Sequence, residues 1–211
     1  AIWHRQILQD DPGQAAAPRD VPRRYGRYGV PLDIFDDDLA RLERPDVVLV
    51  TSGMTYWYPG PFAAIRRIKS RFPGVPVETW DIAEFTYLQP ARWNGTAAAD
   101  RRPHVERYWT AADPTYCDGE GAESFAGFLR RVEASLARLA ALPAGSLAYV
   151  FGHGQFIQAA RAIVTGPDLD DRAQMRAFWR DGAPPTVANG ERVGFHRTHG
   201  RWECAAPAMA A

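Results

Sequence analysis

Two uniformly apolar runs, Asp46 to Thr51 (DVVLVT) and Leu147 to Phe151 (LAYVF), constrain this chain more than any other feature. Neither alternates apolar with polar residues, as a strand wetted on one side would. Each reads as a strand covered on both faces, which is the habit of a parallel sheet. After the first run, the loop SGMTYWYPG leads into a helix over about Pro61 to Arg71, with Phe62, Ile65, Ile68 and Phe72 at helical spacing. Pro61 suits a first helical turn. The turn Pro73-Gly74 follows, and Val75-Pro76-Val77 begins another short strand. This β–α–β order predicts a right-handed crossover and an α/β architecture on a mostly parallel sheet.

The second run ends differently. Gly152-His153-Gly154 breaks it, and Gln155 to Val164 reads as a helix with Phe156, Ile157, Ala160 and Ile163-Val164 on one side. A strand that becomes a helix across two glycines sets the His153 imidazole at the carboxyl edge of a sheet. Unpaired helix N-terminal N–H groups lie beside it there, and an anion is favoured. The plainer alternative is a histidine that fills the turn and bonds a neighbour.

The remaining elements surround these two units. Ile2 to Leu8 suggests a short strand interrupted at Trp3-His4-Arg5-Gln6, and Gln9 to Pro22 reads as a loop or linker. Arg23, Arg24 and Arg27, interleaved with Tyr25 and Tyr28, form the densest basic patch, read as surface cation–aromatic packing, with an anion or nucleic-acid contact as the alternative. Phe35 to Leu42 has the composition of a short helix. Its run Asp36-Asp37-Asp38 is no metal site, because adjacent helical side chains diverge. Trp80 to Glu120 reads as irregular and aromatic-rich, a lid or insertion. Ala122 to Leu142 is the clearest helix, with Phe125, Phe128, Leu129, Val132, Leu136 and Leu139 as its stripe. Asp170 to Arg180 is another helix. Arg192 to Thr198 and Arg201 to Cys204 flank His199-Gly200 as a terminal hairpin.

Composition removes several function classes. With 25 basic and 25 acidic residues the formal net charge is zero, so nothing global attracts nucleic acid or an acidic membrane. The two cysteines, Cys117 and Cys204, have neither metal-ligand spacing nor a disulfide framework, and a reduced cytoplasmic setting fits them. The beginning AIWHRQILQD is too short and polar for a signal peptide, and no apolar run approaches a membrane span.

From about Arg71 to Cys204 the chain resembles the histidine phosphatases, the phosphoglycerate-mutase-like group. The residues that carry this are WDIAEFTYL with Glu84, GAES (Gly121 to Ser124) opening the long helix, VFGHGQFIQA and ANGERVGFHRTHGRWE. Residues 1–77 resemble instead the N-terminal cobalamin-binding region of certain radical SAM proteins, through WHRQ, the RYG repeats, PLDIF and DVVLVTSGMTYWYPGPFAAIRRIKSRFPGVPV. The expected organisation is a single α/β domain of hybrid sequence, with segments 1–77 and 78–211 joined near RFPGVPV. The phosphatase resemblance implies a three-layer α/β/α sandwich with a mostly parallel central sheet. No CxxxCxxC set and no Asp-x-His-x-x-Gly motif is present, so iron–sulfur radical chemistry is closed to the chain; cobalamin stands only as the alternative to no cofactor.

The phosphatase resemblance also implies roles. Hydrolysis through a phosphohistidine needs an attacking histidine, cationic donors on the phosphoryl oxygens and an acid for the leaving oxygen. His153 matches the phosphate-binding histidine, flanked by Gly152 and Gly154, and Glu84 matches the acid. No Arg-His-Gly exists; His4, in Trp3-His4-Arg5, is the one histidine near the N-terminus and the weak candidate nucleophile. Ser52-Gly53-Met54-Thr55 replaces Ser-Pro-x-x-Arg, and Arg66 and Arg67 are expected to face solvent. Arg101 and Arg102 are the candidate substrate cations, and no metal ligands are expected. His104, His196 and His199 read as surface or structural. The implied partner is a small phosphorylated substrate or anion, with catalysis impaired. The alternatives are a non-catalytic anion binder and a cobalamin-binding module.

Overall fold

A computed structural model of the chain describes residues 2–4, 31–51, 59–166, 168–179, 187 and 191–205, with 2–4 and 59–61 described by their backbone alone. Strands β1 (Ile2–His4), β2 (Val47–Val50), β3 (Val77–Thr79), β4 (Ala148–Gly152) and β5 (Arg192–Val193) form one sheet in the order β3-β2-β4-β1-β5. All pairings are parallel except that of β1 with β5. The seven helices of the described residues are α1 (Leu32–Ala40), α2 (Pro59–Arg71), α3 (Pro90–Trp93), α4 (Ala98–Ala111), α5 (Phe125–Ala140), α6 (Gly154–Thr165) and α7 (Asp171–Phe178). Strands β6 (Phe195–Thr198) and β7 (Arg201–Cys204) make a separate hairpin.

Successive strand residues point to opposite faces, and the two apolar runs feed two cores. Val48, Val50, Tyr149 and Phe151 pack with Phe35 and Leu39 of α1 and with Ile68 and Phe72 at the end of α2. Val47, Leu49 and Val150 pack on the other side with α5, α6 and α7 through Phe128, Val132, Ile157 and Phe178. Val48 and Leu49 are neighbours in sequence and both fully buried, on opposite faces. That is the three-layer sandwich the uniform runs imply. Phe62, expected on the apolar face of α2, is instead 55% exposed in its first turns, ahead of Ile65 and Ile68.

One expectation holds and two change. β1 is a strand within the stretch expected to form one, lying between β4 and β5. Trp80 to Glu120 is not irregular, since it holds α3 and α4. Asp100 accepts the Ala97 N–H at 3.2 Å at the start of α4, and the helix runs on through Pro103. Tyr108 and Trp109 are buried, with Trp109 stacked on Trp179 at 4.5 Å and 7°. Finally, the run from Arg192 to Thr198 divides at Gly194: β5 joins the sheet while β6 pairs with β7. His199 (φ 50°) and Gly200 (φ 82°) take the two left-handed positions that a tight hairpin turn requires. The linker at 9–22, the basic patch at 23–28 and the loop at 52–58 lie outside the described residues.

Candidate functional site

Four described strands run parallel, so their carboxyl ends share one edge of the sheet, where α/β proteins bind ligands. At that edge β4 ends at Gly152, and His153 follows in extended backbone (φ −112°, ψ 157°) as the N-cap of α6. Neither Gly152 nor Gly154 has a positive φ. The sharp turn comes from the one extended residue between strand and helix. His153 is half-buried, and its carbonyl accepts the Ile157 N–H at 3.0 Å, closing the first turn of α6.

In the parallel ladder of β1 and β4, Trp3 lies opposite Phe151 and His4 opposite Gly152. Neighbouring strands are about 4.8 Å apart. The backbone of His4 therefore ends its strand beside the residue that precedes His153.

Glu84 reaches this edge from the loop after β3. Its Oε1 accepts the Gln155 N–H of the first α6 turn at 3.1 Å and its own neighbour's, Phe85, at 3.2 Å. Burial pushes its carboxyl above the usual carboxylate range; the Phe85, Gln155 and Phe156 N–H groups and the Arg131 cation pull the other way and lose. A carboxyl so held carries its proton closer to neutral pH than a surface glutamate does, as a general acid must.

The loop around Glu84 is fixed from α5. Arg131 forks onto Glu123, Nε to Oε1 at 3.0 Å and Nη2 to Oε2 at 2.8 Å. Its Nη1 donates to the carbonyls of Ala83 at 3.0 Å and Asp81 at 3.3 Å. The Glu123 N–H donates to the Thr86 carbonyl at 2.8 Å, and Ser124 Oγ caps α5 by accepting from Gly127 N–H at 3.1 Å. The GAES segment is thus a brace for the Glu84 loop as well as a helix start. In sequence Arg131 is one of several arginines in an amphipathic helix, and its place three residues after Phe128, beside the buried stripe, is the one signal of its role.

The other candidates have their own local partners. Arg101 on α4 donates from Nη1 to the carbonyls of Thr96 at 3.0 Å and Trp93 at 3.5 Å, while Arg102 is exposed. Arg66 and Arg67 are exposed on α2, and Arg67 meets Asp36 at 3.0 Å. His104 packs on Trp93 with ring centroids 4.3 Å apart. His196 pairs with Glu203 across the hairpin at 2.9 Å, and His199 holds its turn. Among the described residues no group of three or more His, Cys, Asp or Glu could hold a metal, and no helix is long and apolar enough to cross a membrane.

With this edge in view, the comparisons identify the class. Residues 65–195 match the family model of the histidine phosphatase superfamily (branch 1), which is more than half of the chain. This chain belongs to that superfamily. Its fold is similar to that of a mycobacterial hydrolase, at 18% identity and a TM-score of 0.54 over 83% of this chain and 82% of that one. It is similar also to the alpha-ribazole phosphatase of Shigella flexneri, at 17% identity and 0.55 over 82% and 78%. A third similar fold is the mycobacterial glucosyl-3-phosphoglycerate phosphatase, at 17% and 0.54 over 80% and 78%. No curated protein sequence matches the chain.

The comparisons lend no support to the cobalamin-binding resemblance of residues 1–77. The structural matches cover more of the chain than the residues from 65 onward can supply, so the phosphatase fold takes in part of the N-terminal segment. Within that segment β2, the heart of DVVLVT, is seated between β3 and β4 of the common sheet.

Proposed function

We propose that this chain hydrolyses small phosphate monoesters at the carboxyl edge of its sheet, through a phosphohistidine on His4 and at a reduced rate. The observation that carries the reading is Glu84, a half-buried carboxyl bonded to the first turn of the helix that His153 caps and held above the usual carboxylate range. The register of His4 opposite Gly152 supports it from the other side.

In this scheme a His4 ring nitrogen attacks phosphorus and the P–O bond to the alcohol breaks. Glu84 gives its proton to the leaving oxygen. Water then attacks the phosphohistidine while Glu84 takes a proton back, the P–N bond breaks, and inorganic phosphate leaves. His153 faces the negative oxygens, while the first turn of α6 holds the acid through the Gln155 N–H. The chain has no arginine directly before His4 and none in Ser52-Gly53-Met54-Thr55. Each missing transition-state donor lowers the rate by roughly a hundred- to a thousand-fold.

The test is turnover of p-nitrophenyl phosphate, with acid-quench trapping of labelled phosphoenzyme. Slow hydrolysis is expected, abolished by His4→Ala, and lowered by at least about a hundredfold in His153→Ala. Activity that survives His4→Ala sinks the phosphohistidine route. Saturable phosphate binding at His153 without any turnover would establish the non-catalytic reading instead.

A further inference from the structure

Arg131 does more than pair with an acid. Its side chain is only 15% exposed, and it spends its fork on Glu123, its remaining nitrogen on the Asp81 and Ala83 carbonyls, and lies 3.8 Å from the Asp81 carboxylate. The guanidinium also sits over the rings of Phe128 at 5.2 Å and Phe156 at 5.8 Å, the latter in the first turn of α6. The loop is therefore gripped on both sides of Glu84. Arg131 holds the residues before it, and Glu123, itself oriented by Arg131, holds Thr86 after it through the backbone. One cation joins α5, the acid's loop and the helix that carries His153.

We propose that Arg131 is the positioning residue for the acid, fixing the Glu84 carboxyl against the first turn of α6. The proposal rests on the reading of Glu84 as the acid. The groups that act on that carboxyl are the Phe85 N–H of its own loop, the Gln155 and Phe156 N–H groups of α6 and the Arg131 cation from α5, with Glu123 and Asp81 beside that cation. Arg131 is the fixed cation among them. Removing its charge favours the neutral carboxyl further, so the basic limb of the pH profile moves to higher pH, while looser placement slows proton delivery.

Three variants and two substrates test this. p-Nitrophenyl phosphate has a good leaving group that needs little help from an acid, whereas a simple alkyl phosphate needs its proton. Arg131→Met should lower kcat on the alkyl ester by about tenfold to a hundredfold, leave the aryl ester within about threefold, and shift the basic limb upward. Arg131→Lys keeps a charge but cannot fork; it should restore the limb and only part of the alkyl kcat. A general loss of structure would slow both esters alike, and that result overturns the proposal. So does Arg131→Lys with wild-type rates on both esters. Glu84→Gln separates the two readings. If it shows the leaving-group dependence and Arg131→Met does not, Arg131 alone is wrong; if neither shows it, Glu84 is not the acid. Titration of the Glu84 carboxyl by carbon-13 NMR reads the same coupling without turnover, and a carboxyl titration unmoved in Arg131→Met also overturns the proposal.

Discussion

At Glu84 two opposed effects act on one carboxyl, and their balance can be read in stability. Burial raises its proton affinity more than the α6 and Phe85 N–H groups and Arg131 lower it. The folded state therefore holds that proton to higher pH than the unfolded chain does. Between the two values the folded protein carries more bound protons, and stability falls as pH rises. The contribution is fully present below the unfolded value and is lost through the window that extends upward from it. Glu84→Gln removes the ionisation yet keeps an oxygen for the Gln155 N–H. Its melting temperature should match wild type at acid pH and exceed it increasingly toward neutral pH, by about 2–4 °C for each kcal/mol relieved in a chain of this size. A constant difference across pH would show that Glu84 is not the group that titrates. At this scale the sequence was half legible. His153 and Glu84 stood out because short motifs surround them. Arg131 did not, because its importance lies in Asp81, Ala83 and Glu123, which only the fold brings to it.

Whole elements were legible where apolar runs were long, and hidden where tertiary contacts override local preference. β2, β4, α5 and α6 follow from their patterns with ends displaced by a residue or a few. α4 was hidden by its own composition: AADRRPHVERYWTA is polar along most of its length and carries Pro103. An interior proline lacks the N–H that would bond one turn back and costs about 3 kcal/mol or more. What holds the helix is its C-terminal end, where Tyr108 and Trp109 are buried among Tyr87, Phe85, Phe125, Phe178 and Trp179. Pro103→Ala should therefore stabilise the protein, by about 1–2 kcal/mol once the freer unfolded chain is set against the restored bond. Thermal unfolding of the variant checks this. A loss of stability would mean that the Pro103 ring itself makes a contact the helix depends on.

The molecule as a whole is organised by where β1 lies. The chain begins its described path in the interior of the sheet, runs through α1 and β2 to β3 on one side, and returns at β4 to fill the gap between β2 and β1. The strands before β3 and those after it are thus interleaved, and the sheet cannot be cut between them without splitting the contacts of β4 to β1 and to β2. The tie continues outside the ladder: Asp38 of α1 lies 3.5 Å from Arg192 of β5, and Tyr149 of β4 donates to the Glu43 carbonyl at 3.2 Å. Such a sheet should open as one cooperative unit. Native-state hydrogen exchange across a denaturant series tests this, because amides exposed only by global opening share the steep denaturant dependence of unfolding. The protected amides of β1 should merge with those of β4 onto one isotherm, although β1 is three residues long and near the chain's start. Denaturant-independent exchange in β1, with β4 still protected, would mean that the N-terminal segment is a separable unit. The catalytic edge proposed above would then lack its attacking strand for part of the time.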